Sequence, residues 1–420
     1  MRLTHSALAL ALAFSFGNFA HANTLACSNS YGFRVDVSGV AGSTVCTNTA
    51  GDLIDLVKDF SLSNSGYTQS SAAFAVGRIN DVDFTASYAA NSNDLVFNAP
   101  DLGIENKVFT GATRKKAQDA FEDWVKHSGI IGDMMRYQSK HSAASPITGA
   151  AGIMPTMAAT DFNTEIQSVS NIATTPSSST DNKESTTNAD ATPINNLIGT
   201  GVSIGSFSNN GERINSYTLP LSYSIGTGND SRQQLIISVP LTMYTIGKAK
   251  GYHAGVGIAH RFPITPNWTL TPGIRYALTG SVDRATIASV TSASLTSTYH
   301  IPFEQFDLNI ANMIGYYRTG KFKAGDYSFD PDIKQTMLRN GVMLSQPITL
   351  GSQQLAIEYS LIDTRYIGGQ KPFMRDMQEF GVTLGTHRNN NSHQSFLRAG
   401  VSYIRAKDNS GFTFNFGYWF

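Results

Sequence analysis

The sequence predicts a transmembrane β-barrel of about 12 antiparallel strands over residues 198–420, preceded by a small mixed α+β domain. Three observations carry that expectation. The chain starts with what reads as an export signal, a two-residue hydrophobic period recurs through its second half, and its last segment alternates aromatic residues without a break.

The export signal comes first. Met1-Arg2-Leu3 supplies a short positive start, residues 7–16 are an apolar run, and Ala20-His21-Ala22 has the small-x-small form of a cleavage site. Residues 1–22 therefore read as a signal peptide, with the mature chain beginning near Asn23. The run is too short for a membrane anchor, which needs roughly 20 apolar residues. No later window is long and apolar enough for a transmembrane helix. The remaining way for an exported chain to cross lipid is a closed barrel, because only helices and barrels satisfy every backbone group there. A net charge of +0 with only 15% charged residues argues against nucleic acid as a partner. The hydrophobic fraction of 41% is low for a globular domain and suits two-faced strands separated by polar turns.

Residues 23–165 read as one exported α+β domain. Strands are expected at 32–37 and 82–88, followed by a helix with Thr113 as its N-cap, an apolar stripe of Ala117, Ala120, Phe121, Trp124 and Val125, and Gly129 as its stop. A second, shorter helix through Ile130, Ile131, Met134, Met135 and Tyr137 is expected to pack against the first. The two cysteines of the chain, Cys27 and Cys46, lie close together in a segment bound for an oxidising compartment, so one disulfide is the natural reading. Residues 166–197, rich in Ser, Thr and Asn, have too little apolar content to repay ordering and read as a linker.

From Ile198 the period is two. Leu270, Pro272, Ile274, Tyr276 and Leu278 alternate with Thr271, Gly273, Arg275 and Ala277, and Leu355, Ile357, Tyr359 and Leu361 alternate with Ala356, Glu358 and Ser360. Strands are expected near 198–208, 213–226, 232–246, 251–262, 267–280, 284–299, 304–319, 333–346, 353–366, 376–388, 394–406 and 411–420. That count is even, as single-chain bacterial barrels require. The last strand places Phe412, Phe414, Phe416, Tyr418 and Phe420 on one face. Such an edge invites aggregation in a soluble domain, but it suits a barrel that closes on its first strand and sets aromatics against lipid.

The alternating phrases Tyr217-Thr218-Leu219-Pro220-Leu221-Ser222-Tyr223 and Trp268-Thr269-Leu270-Thr271-Pro272-Gly273, with the aromatic final strand, resemble the translocator domains of autotransporters and related solitary barrels of Gram-negative bacteria. The likeness covers residues 198–420. It implies a place in the cell outer membrane, lipid and the barrel-insertion machinery as partners, and no assigned activity. The chain also departs from that pattern. Such translocators thread a helix through the pore just before the first strand, whereas residues 188–196 read as coil, with Pro193 disfavouring helix at Thr192.

No catalytic, cofactor or metal site is expected. Gly201-Val202-Ser203-Ile204-Gly205 matches the letters of a nucleophile elbow but falls in a strand with no helix behind it. His253, His260, His300, His387 and His393 lie in or near strands, and Asp363, Asp376 and Glu379 read as ordinary rim carboxylates. The charges expected to face the lumen are Arg275, Asp307, Arg339, Glu358 and Arg398. They are read as salt-bridge ladders filling the interior, with Arg275 and Arg398 favouring anions should a pore be open. Three functions follow as expectations: a non-enzymatic autotransporter-like barrel carrying its N-terminal domain at the surface or in the periplasm, a small-solute channel plugged or gated by that domain, or a barrel lipid hydrolase.

Overall fold

A computed structural model describes residues 25, 27, 31–47, 49–58, 60–169, 196–209, 212–228, 230, 232–325, 327–386 and 396–419. The signal peptide expected over 1–22 and most of the linker expected over 166–197 lie outside the described residues, as do His387, His393 and Phe420. The chain divides between Ser128 and Gly129 into two compact units.

The first unit is a six-stranded antiparallel sheet in the order β2-β1-β3-β4-β5-β6, built from β1 (Tyr31–Val37), β2 (Val45–Thr47), β3 (Ala73–Ile79), β4 (Val82–Tyr88), β5 (Leu95–Ala99) and β6 (Ile104–Phe109). The β3–β4 hairpin turns on Asn80 and Asp81, both at positive φ, as a tight hairpin turn requires. Side chains alternate along each strand, so Tyr31, Phe33, Val35, Ala75, Tyr88 and Phe97 are all buried. Helix α1 (Ala50–Lys58) contributes buried Leu53 to this core. Helix α2 (Arg114–His127) adds Phe121, whose ring lies 5.0 Å from that of Phe97. The Thr113 side chain caps α2 by accepting from the Lys116 amide at 3.3 Å. Ala120, grouped with the stripe by its spacing, is exposed. Cys27 and Cys46 are joined by a disulfide with their Cα atoms 5.7 Å apart.

Arg114 holds the loops of this unit together. It is 1% exposed, and its guanidinium donates to the carbonyls of Ser92 (2.9 Å), Thr68 (3.2 Å), Ser71 (2.6 Å) and Ala89 (3.1 Å) while lying 4.4 Å from the centre of the Tyr88 ring. Burial beside it pushes the Tyr88 phenol up to about 12.

The second unit is a closed barrel of twelve strands. They are β7 (Asn196–Asn209), β8 (Glu212–Gly226), β9 (Gln234–Ile246), β10 (Ala249–Thr265), β11 (Trp268–Ser281), β12 (Thr286–Pro302), β13 (Asp307–Gly320), β16 (Lys334–Leu350), β17 (Gln353–Gly369), β18 (Asp376–Thr386), β19 (Phe396–Ala406) and β20 (Asn409–Trp419). The short hairpin of β14 (Phe322–Ala324) and β15 (Tyr327–Phe329) sits in the connection between β13 and β16. Every neighbour is antiparallel, and β20 pairs with β7 from Ser410↔Ser208 to Trp419↔Gly199, so the sheet has no free edge. The expected strands correspond one to one with these twelve, and their ends differ by a few residues.

The division of the chain is not where the composition suggested. Residues 129–165, expected to complete the exported domain, belong to the barrel unit. Helix α3 (Ile130–His141) does form where a second helix was expected, and within its own unit it packs onto the β13–β16 connection: Arg136 Nε donates to Pro331 O at 2.8 Å, and Met135 joins the apolar cluster inside the barrel. A further helix, α4 (Ile153–Val169), was not anticipated, and it lies in the lumen.

Replacing Arg114 by Ala removes the guanidinium from four carbonyls, of which Thr68 O and Ala89 O keep a backbone donor in Ser71 N and Ser92 N. The first unit is expected to lose about 3 kcal/mol or more of stability, measured by urea unfolding of the full chain in detergent, followed through Trp124 with Trp268 and Trp419 replaced by Phe in both proteins.

Candidate lumen site

A sheet of twelve strands encloses more room than its own inward side chains fill. In this barrel α4 takes up part of that room, and three faces of the helix meet three different surfaces. Met154, Met157, Ala158, Phe162 and Ile166 form the apolar face, buried against Val290, Met313, Tyr317, Met337 and Met343 of the wall. Gly341 makes space for it, since a Cβ there would stand 2.9 Å from the tip of the Phe162 ring.

The second face is acidic. Asp161 and Glu165, one turn apart, meet two arginines of adjacent strands. Arg261 on β10 donates from Nε to Glu165 at 2.9 Å, and Thr271 on β11 donates to the same carboxylate oxygen at 2.8 Å. Arg275 on β11 donates from Nε to Asp161 at 3.1 Å and from a terminal nitrogen to Ser238 Oγ at 2.9 Å. Gly257 lets the guanidinium lie flat on the neighbouring strand, because a Cβ there would stand 2.7 Å from its central carbon. Arg261 is 0% exposed and Arg275 5%, so each needs its carboxylate: a buried ion left without its partner costs about 3–5 kcal/mol.

The third face carries Thr156, Thr160 and Thr164 at every fourth position. Each hydroxyl donates to the carbonyl one turn earlier at 2.8 Å, which satisfies it within the helix. This face looks onto a cavity of about 290 Å³ whose far wall includes Ser203, Thr218, Ser222, Thr413 and Asn415.

The direction of α4 follows from its contacts. Just before the helix, Ala151 O lies 2.8 Å from His253 Nε2, near the β9–β10 turn. Asp161 meets Arg275 at mid-strand, and Glu165 meets Arg261 near the β10–β11 turn. The helix thus runs from the mouth that carries α3 toward the mouth where β7 begins. Residues 188–195, expected as coil, lie outside the described residues and Asn196 opens β7; the helix in the lumen is formed by residues 153–169.

Four of the five lumen-charge candidates, Arg275, Arg339, Glu358 and Arg398, are buried on the inward side of their strands, and Asp307, the first residue of β13, is partly exposed. Arg398 pairs with Glu358 on the wall, and Arg339 pairs with Glu379 at 2.8 Å, so ladders within the wall account for three of the five. Arg339 also lies 5.2 Å from the centre of the Phe162 ring, tying this pair to the helix. Arg275 is neutralised by the helix rather than by the wall. Asp307 stands at the other end of the site, 3.7 Å from His300. Compensation of Arg275 and Arg398 removes the basis for an anion bias in this state. Glu379, expected as an ordinary carboxylate, is the wall partner of Arg339, and Arg261, which nothing in its strand's alternation sets apart, is the partner of Glu165. Ser203 sits mid-strand opposite Thr218 and Asn415, without the turn an elbow needs.

The outer surface inverts a soluble protein. Val202, Ile204, Leu241, Ile258, Ile274 and Leu361 are exposed around the barrel waist. Tyr217, Tyr252, Tyr316 and Phe412 ring one end of this belt, and Tyr223, Phe262, Tyr299 and Tyr418 ring the other. A closed sheet with an apolar belt, aromatic girdles and a polar interior has the construction of a lipid-embedded barrel. The chain is an outer-membrane β-barrel.

No family model matches the sequence, and no curated protein matches it. Among solved structures, the chain is similar to the translocator domain of the autotransporter NalP from Neisseria meningitidis, at 12% identity over 54% of this chain and 87% of that one, with a TM-score of 0.39. It is similar to the β domain of the Bordetella autotransporter BrkA at 16% identity, 54% and 98% coverage and a TM-score of 0.39. It is also similar to an outer-membrane channel from Pseudomonas putida F1 at 13% identity, 56% and 99% coverage and a TM-score of 0.37.

The helix–wall pairs are expected to be coupled. In a cycle of Asp161→Asn and Arg275→Gln, each single change should lower the heat-unfolding midpoint of the barrel, and the double variant should recover part of the loss, with a coupling of about 1–3 kcal/mol. Additive losses would mean the pair does not hold the helix.

Proposed function

We propose that the protein is a non-enzymatic display barrel, which holds residues 31–128 at the cell surface and keeps its pore filled with α4. The observation that carries this reading is the path of the chain through the lumen. Ile130 opens α3 at one mouth, α4 descends the barrel, and β7 starts at the opposite mouth. An even number of strands returns the end of β20 to that same mouth. With the β7 mouth toward the periplasm, whatever precedes Gly129 leaves on the outside. The membrane lipid and the barrel-insertion machinery are the partners of this arrangement.

The lumen chemistry supports a lasting rather than a transient plug. An open aqueous pore gains nothing from Val290, Met313, Met337 and Met343 on its wall, whereas a resident helix with Met157 and Phe162 does. The two buried carboxylate–arginine pairs fix the depth and rotation of the helix, since a shift by one residue would separate both.

An epitope inserted in the exposed 64–71 loop is expected to be cleaved by protease, and bound by antibody, on intact cells. A second epitope at the 266–267 turn, by the β7 mouth, should become reachable only after the outer membrane is breached. Protection of the first epitope on intact cells would rule the display reading out.

A further inference from the structure

The cavity beside α4 spans most of the barrel's length on the side the helix leaves free. It reaches from Leu197 and Ser224, near the start of β7, to Ala150 and Ala151 at the other end. Hydroxyl and amide groups dominate its middle, and its charges are all compensated: Arg398 by Glu358, Arg339 by Glu379, and Arg261 by Glu165 of the helix. At about 290 Å³, and at roughly 30 Å³ for each water, it holds on the order of ten waters.

The far end is different in kind. Residues 142–152 form no regular helix or strand until α4 begins, yet nearly all of them are buried. Ala143, Ala144 and Ala151 pack there with Phe207, Ile214, Met374 and Ile404, and Met377 lies against the same cluster. Phe207, Met377 and Ile404 also line the end of the cavity, so the polar space stops on an apolar floor.

We propose that this half-lumen is a blind polar vestibule that admits ions and small polar solutes, closed at the α3 mouth by a hydrophobic seal made of the 142–152 segment and Phe207, Met377 and Ile404. An apolar constriction of this kind blocks ions by excluding water, without any charged gate. The paired lining charges give the vestibule little preference of sign. Solutes enter from the mouth where β7 begins, and the seal stops them with α4 still in place. The inference is independent of which mouth faces the cell exterior.

The test is planar-bilayer conductance of the full chain. The unsubstituted protein should stay at baseline, and the Phe207→Ser/Ile404→Ser variant should conduct at least tenfold more. Adding Glu358→Gln to that variant, which leaves Arg398 without its carboxylate, should shift its reversal potential toward anion selectivity. A variant that keeps the heat-modifiable mobility of a folded barrel but stays at baseline would overturn the proposal, as would an unsubstituted protein that conducts equally well. A second measurement does not depend on the seal variant folding. Thr218→Cys, facing the middle of the cavity, should react with a small methanethiosulfonate added at the β7 mouth and be protected from the same reagent added at the α3 mouth. Any other pattern of reactivity would overturn the proposal.

Discussion

The constraint behind this structure is a volume that has to be filled. Twelve strands closed on themselves satisfy every ladder hydrogen bond and present apolar side chains to lipid, but the lumen they enclose is too wide for their own inward residues to pack. Residues 142–169 supply the missing matter, and most of the inward sequence of the barrel is intelligible as accommodation of them. Val290 and three methionines, Met313, Met337 and Met343, stand where α4 is apolar, Arg261 and Arg275 where it carries Glu165 and Asp161, and glycine at 341 where Phe162 comes closest.

The ion pairs and the apolar face do different jobs. Burying Phe162, Met157 and Ile166 is favourable in many orientations of the helix, because the hydrophobic effect is non-directional. Two carboxylates one turn apart, each facing its own arginine on a neighbouring strand, are satisfied in one depth and one rotation. The arrangement is thus stabilised mainly by apolar contact and specified mainly by charge. The threonine face is neither: its hydroxyls are satisfied inside the helix, so it can border water without requiring any particular partner.

Much of the barrel was legible in the sequence because its physics has a simple period. A wall with lipid outside and polar lumen inside writes itself as alternation, and the segments from Ile198 to Trp419 show it twelve times. The aromatic run ending in Tyr418 marks the strand that closes the sheet on β7. Helix α4 was not legible by the same means. A helix enclosed on all sides by a mixed interior has no single stripe: apolar, acidic and hydroxyl faces divide it, and Pro155 and repeated threonine weaken its propensity. A signal was present nonetheless. Asp161 and Glu165 are the only charged residues between 142 and 180, and they stand four apart. Two lone acids at helical spacing, upstream of a barrel with inward arginines, are a pattern that pairs with those arginines. The misplaced boundary has the same origin, since α3 reads like a soluble helix until Met135 is seen to lie in the barrel cluster.

The most direct test of the account is a cross-link inside the lumen. With Cys27 and Cys46 bonded to each other, Phe162→Cys and Gly341→Cys introduce a new pair of thiols without crowding, because the ring that a side chain at 341 would strike is removed. A short bifunctional methanethiosulfonate applied to outer membranes should join the two positions and change the mobility of the denatured chain, while either single variant should show no such change. Absence of the cross-link in a correctly inserted double variant, with both thiols reacting singly, would mean that α4 does not occupy the barrel.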